Sequence, residues 1–236
     1  MRLPVRPNRQ QAIDWNGYEM RSYVGVPNHG LIGESLQLKL LQAYAACISY
    51  ADAQIGRLLD QLAESPRGKN TIVVLISDHG WHLGEHSAWG KMTCFEIATR
   101  VPMIISGPGI DPARTQAIAE LVDLYPTLCE LTGIPSPKHL QGESLVQTIQ
   151  APEQDCSDTF AVSQYSRFRN RYLGTALRTP RYRFVRWVET ESGKVVHREL
   201  YDHKTDSAET NNLADVPQHA ELISKLNARV KSAAGP

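Results

Sequence analysis

No run of this sequence is apolar over the roughly twenty residues that a helix needs to cross a bilayer, so no membrane span is expected. Neither sign of charge is in excess: 25 Lys and Arg face 25 Asp and Glu, which argues against a general binder of nucleic acid or of a membrane surface. The four cysteines, Cys47, Cys94, Cys129 and Cys156, form no C-x-x-C and no zinc spacing. Cys47 and Cys129 fall on the apolar faces of expected helices and read as buried thiols. The opening residues Met1, Arg2, Pro4, Arg6, Pro7 and Asn8 contain no apolar core of signal-peptide length, so no export signal is visible. Gly107-Pro108-Gly109 is a turn that lacks the spacing of a dinucleotide fingerprint. Gly142-Glu143-Ser144-Leu145-Val146 fails the nucleophile elbow G-x-S-x-G at its last position, which removes the serine-hydrolase reading.

What the sequence does have is concentrated between residues 71 and 102. Thr71 to Ile76 is a nearly unbroken β-branched and aliphatic run, the pattern of a strand buried on both faces in the middle of a parallel sheet. In such sheets ligands gather beyond the carboxyl ends of the strands, and Asp78 and His79 stand at that end. Gly80, Gly84 and Gly90 let the following loop turn back, so Lys91 can return to the same crevice. A carboxylate and an imidazole suit a divalent cation, and a lysine beside them suits the anion that such a cation polarises. The plainer alternative is that Asp78 caps a turn and His79 is a satisfied, half-buried histidine.

Along the chain, residues 1–33 read as an irregular lead-in rich in Pro, Gly and Asn. From Ser35 to Ala63 the apolar positions Leu36, Leu40, Tyr44, Cys47, Ile48, Ala51, Ile55, Leu58, Leu59 and Leu62 recur with helical period and predict one long amphipathic helix, ended by Pro66 and Gly68. Thr93 to Thr99 reads as a short helix and Val101 to Ser106 as a second buried strand. Only 71–77, 101–106 and 159–165 read as parallel-type core strands, so the sheet looks incomplete. Residues 133–158, with Pro135, Pro137 and Pro152, read as a linker. Segments 159–166, 172–188 with a bend near Pro180, and 194–202 suit antiparallel strands, and a closing helix over 218–231 places Leu222, Ile223, Leu226 and Val230 on one face.

Residues 77–109, with W-H-L-G-E-H-x-x-W-G-K and A-T-R-V-P-M-I-I, resemble the C-terminal signature of the sulfatases, members of the alkaline-phosphatase superfamily, and are most similar to the iduronate-2-sulfatase-like branch. Segments 43–62, 121–128 and 199–213 extend the resemblance over roughly residues 35–215. It implies an α/β fold: the C-terminal part of an alkaline-phosphatase-like mixed sheet flanked by helices, followed by a small antiparallel sheet with a C-terminal helix. It implies residues 1–132 as the C-terminal part of the catalytic domain, 133–158 as a linker, and 159–236 as the antiparallel-sheet subdomain. In the family, the Asp and adjacent His complete a metal site and the lysine thirteen positions on holds the sulfate; here these are Asp78, His79 and Lys91, with His86 and Trp89 as pocket walls. The cation implied is calcium, with magnesium or manganese as alternatives. The reaction implied is attack on sulfur by a formylglycine hydrate, release of the alcohol and regeneration of the aldehyde.

The formylglycine of the family derives from a C/S-x-P-S-R segment, and no cysteine here is followed by that pattern; Ser65-Pro66-Arg67 does not fit. The aspartate pair that sulfatases carry at the end of their first strand is also absent. The expectation is thus a chain that supplies half a metal site, with the N-terminal part of the enzyme as a partner, a sulfated glycan or other sulfate ester as substrate, and a periplasmic, extracellular or lysosomal place for the full protein. A phosphonate or phosphate monoester hydrolase of the same superfamily, and a non-catalytic glycan- or protein-binding remnant, are the alternatives. His82, Glu85 and His86 have the wrong order for an H-E-x-x-H zinc helix, and Gly84 weakens any helix there. Between 161 and 188 lie seven arginines and no acidic residue. They read either as a solvated sheet face or as a wall toward sulfate oxygens, whose geometry suits the guanidinium fork; without a recognition module nucleic acid is not expected.

Overall fold

Good helix formers dominate residues 34–64, and the structure carries them as one 31-residue helix, α1 (Glu34–Glu64). Glu34 in its first turn complements the positive end of the helix dipole. Pro66 forbids helical geometry to the residue before it, and Ser65 is accordingly extended. The chain can double back there because position 68 is glycine: a Cβ on Gly68 would lie 2.4 Å from the Leu62 carbonyl oxygen. The computed structural model describes residues 19–28 and 32–233, so most of the lead-in expected over 1–33 lies outside the described residues. The fold is mixed α/β, and the chain divides into two compact units, Met1–Thr93 with Arg100–Ile110, and Cys94–Thr99 with Asp111–Pro236.

In the first unit, β1 (Val73–Ile76) pairs with β4 (Met103–Ser106), and between them lies a two-residue hairpin, β2 (His82–Leu83) with β3 (Trp89–Gly90). The β1–β4 pair is antiparallel, with Val73 opposite Ser106 and Ile76 opposite Met103, which corrects the expectation of parallel strands. A parallel partner needs a long crossover, usually helical, whereas the chain from 77 to 102 holds only short elements, the longest helix among them being α2 (Glu96–Thr99). Burial on both faces is also corrected: Leu75, Ile76 and Ile104 are exposed. A β-branched run reports what a strand tolerates, not what lies beside it. The core of this unit gathers at the start of α1, where Met20, Val26, Ile32 and Trp89 are buried and Leu36, Leu40 and Leu41 pack against them. Farther along the helix Ile48, Leu58 and Leu59 are exposed, and Cys47 is exposed rather than buried.

The second unit is built on a four-stranded antiparallel meander in sequence order, β5 (Ala161–Arg167), β6 (Tyr172–Arg178), β7 (Tyr182–Glu189) and β8 (Val195–Asp202). Segment 172–188 is a hairpin rather than one bent strand, because Thr179 receives a hydrogen bond from, and gives one to, Tyr182 across Pro180. Segment 159–165, expected as a parallel-type strand, enters this antiparallel sheet as β5. Before the sheet come α3 (Leu124–Thr132), ended by Gly133 at φ +70°, and α4 (Val146–Gln150). After it comes α5 (Ala220–Ala233), whose Leu226 and Val230 join Leu177, Phe184 and Leu200 in the core. On β6, Gly174 leaves room for a ring: a Cβ there would meet Trp187 at 2.8 Å. Trp187 in turn donates to Glu199 at 2.5 Å.

Candidate metal and anion site

β1 ends at Ile76, and the next three residues turn under their own hydrogen bonds. The Ser77 hydroxyl donates to the His79 carbonyl at 2.8 Å, and the His79 amide donates to Asp78 Oδ1 at 3.0 Å. The Asp78 side chain is 85% exposed and that of His79 34%. His79 Nδ1 lies 2.9 Å from the Gly80 carbonyl, which can only accept, so Nδ1 carries the proton. Nε2 then faces Asp78 Oδ2 at 3.5 Å. The imidazole thus sets Nε2 beside a carboxylate oxygen, with its other nitrogen tied to a backbone carbonyl in the way metal-bound histidines commonly are. Two ligands at right angles on a hard cation, with bonds of about 2.4 Å, stand about 3.4 Å apart. Asp78 and His79 therefore fit a divalent cation as a pair, in which the remaining positions belong to other ligands.

The hairpin brings the loop back. His82 pairs with Gly90 and Leu83 with Trp89, returning Lys91 to the neighbourhood of Trp81. Lys91 Nζ stands 5.6 Å from the centre of the Trp81 ring, and that ring is 6.4 Å from the ring of His79. Asp78, His79, Trp81 and Lys91 form one continuous line of neighbours. The line ends at a residue that no motif or periodicity marks: Glu19 Oε1 lies 3.2 Å from Lys91 Nζ.

His86 and Trp89 are both buried. Trp89 belongs to the core cluster at the start of α1, and His86, at φ +55°, packs edge-on against the ring of His82, 5.9 Å away. His82 is fully buried, with Nδ1 at 3.2 Å from the Glu85 carbonyl and Nε2 at 2.7 Å from the Thr93 hydroxyl. The Glu85 carboxylate accepts the Leu83 amide at 2.5 Å. These groups brace the loop and do not converge as a zinc site.

The second unit holds a different cluster. Ligand atoms of Glu96, His203 and Glu209 lie within 4.8 Å of one another, a spacing open to a metal ion. The carboxylate oxygens already accept hydrogen bonds. Arg183 donates to Glu209 Oε1 at 2.6 Å, to the Cys94 carbonyl at 3.0 Å and to Glu96. Arg178 donates to Glu96 at 2.9 Å, His203 lies 2.7 Å from Glu209, and the Glu96 amide donates to Glu209 at 2.7 Å. Two guanidinium groups balance two carboxylates, so a dication would add uncompensated charge; the residues fit a buried ion-pair network better than a metal centre. Burial works to raise the Glu96 carboxyl, but the charge of Arg183 and the hydrogen bond from Arg178 outweigh it and hold it at about 2. Arg183 is held above its ordinary range by Glu209 and Glu96 in spite of its burial.

Other members of the arginine run are also paired. Arg181 forms a fork on Asp202 at 2.9 and 2.7 Å, and Arg171 contacts Glu189 at 3.2 Å. An arginine-rich stretch without acids was the one signal in the sequence that distant carboxylates must close on it.

The chain matches the family described as Sulfatase over residues 6–134 and that described as N-sulphoglucosamine sulphohydrolase, C-terminal, over residues 84–235. A sulfatase of Formosa agariphila is 36% identical over 191 residues, covering 80% of this chain and 35% of that protein. Mouse iduronate 2-sulfatase is 30% identical over 269 residues, covering 86% and 49%. A structure solved in complex with its substrate D-glucosamine-2-N,6-O-disulfate superposes with a TM-score of 0.73 at 27% identity, over 86% of this chain and 44% of that one. A phosphonate monoester hydrolase of Silicibacter pomeroyi superposes at 0.66 with 26% identity, over 75% and 37%. The chain thus spans about a third to a half of the length of the curated relatives it matches.

Proposed function

The chain belongs to the sulfatase family, and from that premise we propose that it furnishes part of a centre that hydrolyses sulfate esters, of the iduronate-2-sulfatase-like kind, on sulfated glycans. The observation that carries this reading is the line Asp78, His79, Trp81, Lys91, in which a carboxylate, an imidazole, an indole ring and an ammonium stand as successive neighbours. Asp78 and His79 would hold a divalent cation, calcium in our reading, which when bound polarises sulfate oxygens. Lys91 supplies positive charge to the sulfate as its electrons shift toward the leaving oxygen, and the Trp81 face keeps the long side chain over the site. His86 and Trp89 shape the loop from beneath. The remaining metal ligands and the formylglycine come from outside these 236 residues, on the N-terminal part of a sulfatase domain.

The test is reconstitution. The chain is co-expressed with the N-terminal part of a sulfatase and a formylglycine-forming enzyme, in the presence of calcium, and an aryl sulfate is offered. Turnover is expected, and Lys91→Ala should lower kcat about a hundredfold, as for loss of a charge aimed at the transition state. Indifference to Lys91→Ala would remove that lysine from the chemistry. The likeness to a phosphonate monoester hydrolase makes an aryl phosphonate the control substrate: faster turnover of it would replace the sulfatase reading by the phosphonate one. Failure on both, with sulfated glycan still bound, would leave a binding remnant.

A further inference from the structure

Arg171, Arg178, Arg181 and Arg183 each close on a carboxylate. Arg186, the next arginine on β7, closes on none among the described residues, and its Nε is buried there without a hydrogen-bond partner. Strand register sets its neighbours. Gln164, Thr175, Arg186 and Arg198 stand opposite one another in a single row across β5, β6, β7 and β8. Side chains alternate along a strand, so this row shares the face of Leu177, Phe184 and Leu200, against which Leu226 and Val230 of α5 pack. Like charges directly opposite on a sheet repel, and a half-buried guanidinium with an unused N–H has given up a hydrogen bond to water for nothing. The next carboxylate on this face of β8 is Asp202, four positions from Arg198, and Arg181 holds it in a fork. The one carboxylate of α5, Glu221, is exposed and paired with Lys225.

Thr175 narrows what the row lacks. It is 4% exposed, and its hydroxyl accepts from Gln164 Nε2 at 3.2 Å. Having accepted, it still has a proton to give. Toward β7 it faces an arginine, which offers only donors. Two guanidinium groups and a hydroxyl proton in one row thus want an acceptor that carries negative charge. We propose that Arg186, Arg198 and Thr175 hold one tetrahedral oxyanion, inorganic sulfate or phosphate, on this face of the second unit. The unused Nε edge of Arg186 supplies the fork that matches two oxygens of such an anion. Arg198, which is exposed, adds the second charge from the rim, and Thr175 gives the third hydrogen bond from below. A planar carboxylate has two oxygens for these three donors; a tetrahedral anion has four. The site lies within the second unit and asks nothing of the chemistry assigned to Asp78, His79 and Lys91.

The experiment uses the whole 236-residue chain carrying Lys91→Ala, so that the lysine of the first unit takes no part. The probes are inorganic sulfate and inorganic phosphate, with chloride at equal ionic strength as control, all kept below the concentrations at which sulfate stabilises proteins by general exclusion. Calorimetry should find saturable one-to-one binding of an oxyanion and none of chloride, and the unfolding midpoint should rise with the bound anion. Arg198→Gln, at an exposed position, should weaken binding about tenfold, as for loss of a charge-assisted hydrogen bond, and Thr175→Val should weaken it in the same direction. Arg186→Met should abolish it and leave the anion-free midpoint unchanged or higher, because an unpaired guanidinium does not support the empty fold. Should that variant fail to fold, the other two still decide. Whichever of sulfate and phosphate binds tighter names the natural occupant, and either outcome supports the site. The inference is overturned by the absence of saturable binding in the Lys91→Ala chain, by binding that survives Arg198→Gln and Thr175→Val at full strength, or by an anion-free midpoint that falls in Arg186→Met, which would make the arginine a structural member only. None of these readings depends on sulfate ester turnover, so the functional proposal can fail while this one stands.

Discussion

Glu19 Oε1 and Lys91 Nζ stand 3.2 Å apart, so the cation proposed for sulfate already holds a carboxylate. The seat of Glu19 is close: a Cβ on Gly90, itself at φ +115°, would come within 2.9 Å of Glu19 Oε2. That second oxygen is buried without a hydrogen-bond partner among the described residues, which costs free energy and makes the carboxylate easier to displace. Glu19 and a sulfate compete for one ammonium. Glu19→Gln is therefore expected to tighten binding of inorganic sulfate to the chain about fivefold, the equivalent of an ion pair worth about 1 kcal/mol. Titration calorimetry on wild type, Glu19→Gln and Lys91→Ala reads it. Weaker binding by Glu19→Gln would mean that the carboxylate orients the lysine for the anion instead of opposing it.

The network around Arg183 should dominate the stability of the second unit. Removing one partner of a buried charge pair leaves the others uncompensated, at a cost of about 3–5 kcal/mol. Arg183→Met takes the shared guanidinium from Glu96, which keeps Arg178, and from Glu209, which keeps only His203 and a backbone amide, and a fall toward the lower end of that range in the unfolding free energy from urea titration is expected at neutral pH. A change below about 1 kcal/mol would show that the carboxylates find water or other donors when Arg183 is gone.

The same network sets an acid limit. The folded Glu96 carboxyl sits at about 2, below its ordinary value of 4.5, so its contribution to stability is fully present above about 4.5 and is lost as pH falls toward 2. Glu96→Gln should flatten the pH dependence of unfolding in that window relative to wild type, and leave it unaltered above. Equal slopes for the two proteins would mean that other carboxylates, such as Asp202 under Arg181, carry the acid sensitivity.

How much of this was legible beforehand depends on the range of each interaction. The long helix and the closing helix were written locally: Leu36 to Leu62 and Leu222 to Val230 repeat with helical period, and Pro66 stops the first. The return of the loop that carries Lys91 could be expected from its three glycines, whereas the place of Trp81 between His79 and Lys91 could not. The direction of the β1–β4 pair was not legible, since Val73 to Ile76 has the same composition whichever neighbour it meets. Nor was the exposure of Cys47, for a stripe of apolar residues says which face seeks cover, not whether cover is present. The Glu96 and Arg183 pair is separated by 87 positions, and Glu19 meets Lys91 across 72 in the same way. Pairing at such range depends on the fold as a whole, and only the unbalanced arginine run hinted at it.

Metal binding by the chain alone should be weak. Asp78 and His79 offer one carboxylate and one imidazole nitrogen, the latter a softer donor than calcium or magnesium prefers, and Asp78 is largely open to water. Most positions of the cation then stay hydrated, and dissociation constants on the order of 10⁻⁴ to 10⁻³ M are expected, as for sparse oxygen sites. Calorimetry with calcium and with magnesium would read them. Asp78→Ala should abolish the signal and His79→Ala weaken it only a few-fold, because the carboxylate carries the charge. Glu209→Gln should leave it untouched if the Glu96, His203 and Glu209 cluster is the ion-pair network that its arginines indicate. Submicromolar affinity that survives Asp78→Ala and disappears in Glu209→Gln would reverse the assignment, placing the metal among the buried carboxylates of the second unit and leaving Asp78 as the cap of a turn.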